Sequence, residues 1–93
     1  MSEIINIRKP SKEEIELLKS QPTWEHDVER WATEYDEREE TFLVIQGKAS
    51  IILEDGTCYT FKEGDLVTCA PGTKCEWDVI EKIKKHYIFD MKK

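Results

Sequence analysis

Apolar positions along this chain recur mostly at intervals of two, and the clearest exception lies near the start. Ser11 precedes KEEIELLKS, and Ser11 with Glu14 forms an S-x-x-E capping box. Ile15, Leu18 and Leu17 make a short apolar stripe at helical spacing. The pattern predicts one helix over about residues 12–19, ended by Gln21-Pro22, because a residue before proline is pushed out of the helical region. A helix of about two turns is unstable alone, so it must pack on the rest of the chain.

From Thr23 the period changes. Trp24, His26 and Val28 alternate with Glu25, Asp27 and Glu29, which reads as a strand. The alternation breaks at Arg30 and Trp31, where a bend or bulge is expected. TFLVIQ, KASIILE, TCYTF, LVTCA, KCEWDV and IKKHYIF then read as successive strands. Their separators are Gly47, the hairpin signal Asp55-Gly56, KEGD, Pro71-Gly72 and Glu81-Lys82. The closing MKK is expected to fray. About seven strands with turn signals every 8–12 residues predict an all-β sandwich or barrel, and without crossover helices a parallel βαβ fold is excluded. The expected organisation is one domain over residues 1–93, with the helix at about 12–19 and the barrel at about 23–90.

Composition narrows the function. The net charge is −6, with 14 basic and 20 acidic residues and no basic stripe, which argues against nucleic acid or an anionic membrane as partner. MSEIINIRKP carries no apolar signal-peptide core, and no run approaches the roughly 20 apolar residues of a membrane span. Cys58, Cys69 and Cys75 are odd in number and form no Cys-x-x-Cys pair, against both a disulfide framework and a zinc knuckle. Reduced thiols and a cytoplasmic location are the expectation.

Longer motifs point to a family. Glu40 and Gly47 match the closing E-x6-G of the first cupin motif, and Gly64 opens GDLVTCAPG where the second begins. CEWDVIEKIKKHYIF (Cys75 to Phe89), ETFLVIQGK (Glu40 to Lys48) and Trp24-Glu25 resemble small single-domain cupins related to the barrel of (S)-ureidoglycine aminohydrolase. The resemblance spans nearly the whole chain. It implies a cupin double-stranded β-helix, or jelly-roll barrel, with a short N-terminal helix. It also implies a homodimer, since cupins often pair barrels and a bare edge strand invites association.

The resemblance places the candidate chemistry too. The two histidines of the first motif fall on Glu34 and Asp36, and that of the second on Cys75. A cupin metal usually takes imidazoles plus one carboxylate, and neither His26 nor His86 stands at a motif position. The remaining set, Glu34, Asp36, Glu40 and Cys75, combines hard oxygens with a soft thiolate and carries up to four negative charges. No cofactor is therefore expected, and Mn, Zn or Ni is the disfavoured alternative. Positions 34, 36, 40, 42 and 44 share the parity that faces into a cupin barrel, so Phe42 and Val44 would pack its floor. Leu43 and Ile45 would face a second apolar layer or a partner. Glu40 reads either as a pocket acid or base, or as the partner of Lys85 or Arg38. Lys85 shares a face with Tyr87 and Phe89, where it either neutralises Glu40 inside the barrel or snorkels to the rim. His86 would then face out.

The expected site has Glu40 and Lys85 as its catalytic pair, with Glu34, Asp36, Phe42, Cys75, Trp77 and Tyr87 as its lining. Cys75 reads foremost as a small buried hydrophobe, and without a basic neighbour its thiol should not be activated. Trp24, Trp31, Trp77, Tyr35 and Tyr87 would form either an aromatic cage or core. Three functions follow. The first is a barrel that binds or acts on a small polar molecule without the cupin metal triad. The second is a metal-dependent hydrolase or isomerase resembling ureidoglycine aminohydrolase. The third is a non-enzymatic interaction barrel. An open cavity flanked by Glu40 and Lys85 would favour the first, and a mouth filled by Trp and Phe the third.

Overall fold

The computed structural model describes residues 4–90. The MKK tail, expected to fray, lies outside the described residues. The elements are β1 (Ile5–Arg8), α1 (Lys12–Lys19), β2 (Thr23–His26), β3 (Arg30–Glu34), β4 (Glu40–Leu53), β5 (Cys58–Lys62), β6 (Leu66–Cys69) and β7 (Lys74–Phe89). All strand pairings are antiparallel.

Two long strands organise the molecule. β4 and β7 run beside each other from Glu40↔Phe89 to Leu53↔Cys75. The first part of β4 and the last part of β7 are flanked by β6 and β2, with β1 outside β6. The other ends of the same two strands are flanked by β5 and β3. Each long strand thus serves both sheets, the arrangement of a jelly roll with the fold class the sequence predicts.

This continuity corrects two expected breaks. Gly47 does not end a strand, and Glu81-Lys82 does not separate two. Both lie within continuous strands, at a stretch of irregular register between Val44 and Ala49. Gly47 sits there at φ 87°, and a Cβ on it would lie 2.0 Å from the Lys82 carbonyl oxygen. Only glycine permits that backbone crossing. The irregularity also changes which residues of β4 face inward. Phe42 and Val44 enter the core before it, Ala49 and Ile51 after it. On β7 the odd positions Cys75, Trp77, Val79 and Ile83 face inward, and Glu81, beside the irregular stretch, is exposed.

The single strand expected over Trp24 to Val28 is also corrected. β2 ends at His26, and Val28 lies in the connection to β3, 67% exposed. β1 is an addition: Ile5 and Ile7 alternate with Asn6 and Arg8, but a run of four residues is too short to announce a strand by itself. It pairs with β6 and buries Ile5 against the main core.

α1 forms where the capping box predicts. The Ser11 hydroxyl accepts from Glu14 N at 3.2 Å, and the Glu14 carboxylate accepts from Ser11 N at 2.8 Å. Arg8 of β1 closes a bidentate pair on the same carboxylate, with Nη1 2.7 Å from Oε1. Leu18 is fully buried with Leu43 and Leu66, and Ile15, Ile45 and Ile88 pack around them. The second apolar layer expected for Leu43 and Ile45 is this helix, lying on the outer face of the sheet. Among the described residues no helix is long and apolar enough to cross a membrane.

Candidate functional site

The site lies at the end of the barrel where β4 begins and β7 finishes. Glu40 opens β4, in register with Cys69 of β6 and Phe89 of β7. Lys85 stands on β7 beside Val44 and Trp24. Both side chains turn inward, and Lys85 Nζ donates to Glu40 Oε2 at 2.9 Å. Each residue is only 5% exposed. The side chain of Lys85 therefore does not snorkel, and Arg38 is not the partner of Glu40.

Aromatic rings enclose the ammonium. Nζ lies 4.1 Å from the centre of the Phe42 ring, 4.7 Å from Trp77 and 4.8 Å from Trp24. These faces, with their negative quadrupoles, and the carboxylate together compensate a charge taken out of water. Burial still lowers the Lys85 pKa, with Glu40 pulling it back up. Cys69 adjoins the pair, and burial is the main cause pushing its thiol up to about 12. The Tyr35 phenol interacts with Glu40 and Cys69, and burial first, then these two neighbours, raises its pKa.

Above the pair is an open cavity of about 350 Å³. Glu40 and Lys85 form its polar base, and Trp24, Tyr35, Tyr87 and Phe89 supply the walls. Glu34 and Asp36 stand at its mouth. The turn that carries Asp36 is clasped to the end of β7. Asp90 N donates to the Glu39 carbonyl at 2.7 Å, and Glu39 N donates to Asp90 Oδ1 at 3.0 Å. Arg38 pairs with Asp36 at 2.9 Å and lies 4.0 Å from the centre of the Phe89 ring.

The sequence-predicted residues divide into three groups. Glu40, Lys85 and Tyr87 border the cavity, while Phe42 and Trp77 lie beneath it as the faces under the ammonium. Glu34 and Asp36 do not share the inward face with Glu40. Both are exposed, and the half-buried Trp31, Thr33 and Tyr35 take the inward positions along β3 and just past it. The parity expected for Glu34 and Asp36 does not hold, because the turn between β3 and β4 resets the alternation. Cys75 does not line the cavity; it packs in the core, where burial, then Glu40, raises its pKa. Sequence reasoning left Trp24, Tyr35 and Phe89 out of the lining. The first two belong to the aromatic set it singled out, and Phe89 shares the face of Lys85. His86 faces outward, its Nδ1 2.8 Å from the Gln21 carbonyl oxygen.

The donor set does not fit the metal that the fold implies. Among the described residues no three His, Cys, Asp or Glu side chains converge as a metal cluster. Asp36 is held by Arg38, Cys75 is in the core, and the Lys85 ammonium is bonded to Oε2 of Glu40.

Comparison with known proteins agrees with this architecture. A family model described as the EutQ-like cupin domain matches residues 16–87. A DUF861-family protein from Thermotoga maritima superposes with a TM-score of 0.83 at 35% identity, over 90% of this chain and 97% of that one. A DUF861-family protein of unknown function from Pseudomonas syringae gives 0.64 at 25% identity, over 72% of this chain and 28% of that one. The EutQ protein of Clostridium difficile gives 0.66 at 18% identity, over 91% of this chain and 66% of that one, a likeness of fold alone. No curated protein matches the chain.

Proposed function

The chain belongs to the EutQ-like cupin family, and on that scaffold we propose that its barrel binds or acts on a small polar molecule without a bound metal. The observation that carries the reading is the buried Lys85–Glu40 pair at the base of an open, aromatic-walled cavity. A desolvated ion pair is a costly way to build a core, since apolar residues of similar volume often serve stability as well or better. Placed at the base of a cavity, it offers one donor and one acceptor to a ligand that the aromatic walls desolvate. The open mouth weighs against an interaction barrel sealed by Trp and Phe. A metal-dependent hydrolase or isomerase of the ureidoglycine aminohydrolase kind would need Glu40 free to coordinate, and here Lys85 holds it.

The test is a thermal-shift screen of small polar metabolites against wild type and the double variant Glu40→Leu/Lys85→Met. At a hundred times its Kd, a ligand adds about 2.7 kcal/mol to the folded state. At least one compound is expected to raise the Tm of wild type and leave the variant unmoved. Equal shifts in both proteins, or no shift across a chemically broad set, would overturn the reading.

A further inference from the structure

We propose that Lys85 is a nucleophilic amine that condenses reversibly with a small uncharged aldehyde in the cavity, with Glu40 carrying the protons. The proposal rests on the small-molecule reading above and names the substrate class for that site. Among the described residues Lys85 is the one buried lysine, and it borders an open cavity rather than a closed core. Its hydrogen-bond partner Glu40 is a carboxylate at 2.9 Å, which can take a proton and return it. A lysine desolvated in an apolar pocket is activated by losing its charge more readily. Burial acts on Lys85 in that direction, with Glu40 opposing it.

The steps balance without an oxidant or reductant. The ammonium gives a proton to Glu40, and the freed amine attacks the carbonyl carbon. A C–N bond forms, and the carbonyl oxygen takes the proton from Glu40. The nitrogen then passes a second proton through Glu40 to the hydroxyl, which leaves as water while the nitrogen lone pair closes the C=N bond. An ammonium and an aldehyde become a protonated imine and water. The product keeps one positive charge where the ammonium had it, beside Glu40 and under the faces of Phe42, Trp77 and Trp24. The surroundings that support the reactant therefore support the product. The other titratable groups near Lys85 are Tyr35 and Cys69, whose raised pKa values keep them neutral. At the mouth Asp36 is paired with Arg38, and Glu34 is the acidic group that disfavours an anionic carbonyl compound, so the aldehyde is uncharged.

The experiment is reductive trapping of the intact protein with propionaldehyde and cyanoborohydride, read by peptide mass spectrometry across pH. Alkylation of Lys85 is expected to outrun that of exposed lysines such as Lys62 and to persist at lower pH. Glyoxylate should label Lys85 more slowly than propionaldehyde. Glu40→Gln should slow trapping and move its pH profile. Lys85→Arg, which keeps the charge, should fold and show labelling only at surface lysines. Should Lys85 stay unmodified while surface lysines react, or react no faster than they do, the proposal falls. If ligands still shift the Tm of wild type in that case, the cavity remains a binding site and only the condensation is lost. If neither is observed, both readings fall together.

Discussion

Lys85 and Glu40 show why single residues here must be judged with their partners. Each charge is tolerable inside the barrel only because the other, and the rings around the ammonium, compensate it. Lys85→Met alone leaves a buried unpaired carboxylate and is expected to cost about 3–5 kcal/mol in urea unfolding. Glu40→Leu/Lys85→Met removes both charges and is expected to cost clearly less than that single change. A single variant within about 1 kcal/mol of wild type would mean that the pair is well solvated after all. From the sequence, the face shared by Lys85, Tyr87 and Phe89 already marked this lysine as unusual. Which of its two readings held, and whether Lys85 or Arg38 met Glu40, depended on strands far apart in the chain meeting in one register.

At the scale of elements, α1 is the clearest case of local sequence matching final structure. Its capping box sets the start, and Leu18 supplies the burial that a helix this short needs. Burying one leucine side chain contributes about 1.5–3 kcal/mol. Glu14 links the helix to β1 through Arg8, and the Arg8 guanidinium first, then the Ser11 backbone, lowers its pKa from 4.5 to about 2. The unfolded chain therefore binds this proton before the folded one does. The stability from this contact is complete above about pH 4.5 and is lost as pH falls through about 2. Urea midpoints of wild type and Glu14→Gln should differ at neutral pH and converge between those values. A difference that stayed constant down to pH 2 would show that the carboxylate's charge contributes nothing.

For the molecule as a whole, the decisive feature is that β4 and β7 each belong to both sheets. That requires the backbones to approach closely at one point, and Gly47 supplies it against Lys82. Gly56, at φ 89°, needs the same conformational freedom but would meet no atom within 4 Å. An alanine at either position carries a backbone penalty of about 1–3 kcal/mol. Only at Gly47 must two strands also move apart. Gly47→Ala should therefore destabilise the protein more than Gly56→Ala by at least about 1 kcal/mol in chemical unfolding. Equal costs would show that the strand crossing relaxes freely.

Much of this fold was legible along the chain because its signals are local. Capping, alternation and turn chemistry act between residues a few positions apart. They determined the helix from Lys12 to Lys19, most of the strands, and the apolar face of β7 that carries Lys85, Tyr87 and Phe89. Tertiary structure decided what depends on register. Gly47 looks like a turn in the sequence, and only the neighbouring strand makes it a bulge inside a continuous β4. Glu34 and Asp36 share the parity of Glu40 in the sequence, yet the turn between them and Glu40 resets that parity and turns Tyr35 inward instead. Side-chain direction along a strand has a period of two, so one irregular step reverses every residue beyond it. The pairing of Glu40 with Lys85 lies beyond any local signal, because it exists only where β4 and β7 lie side by side.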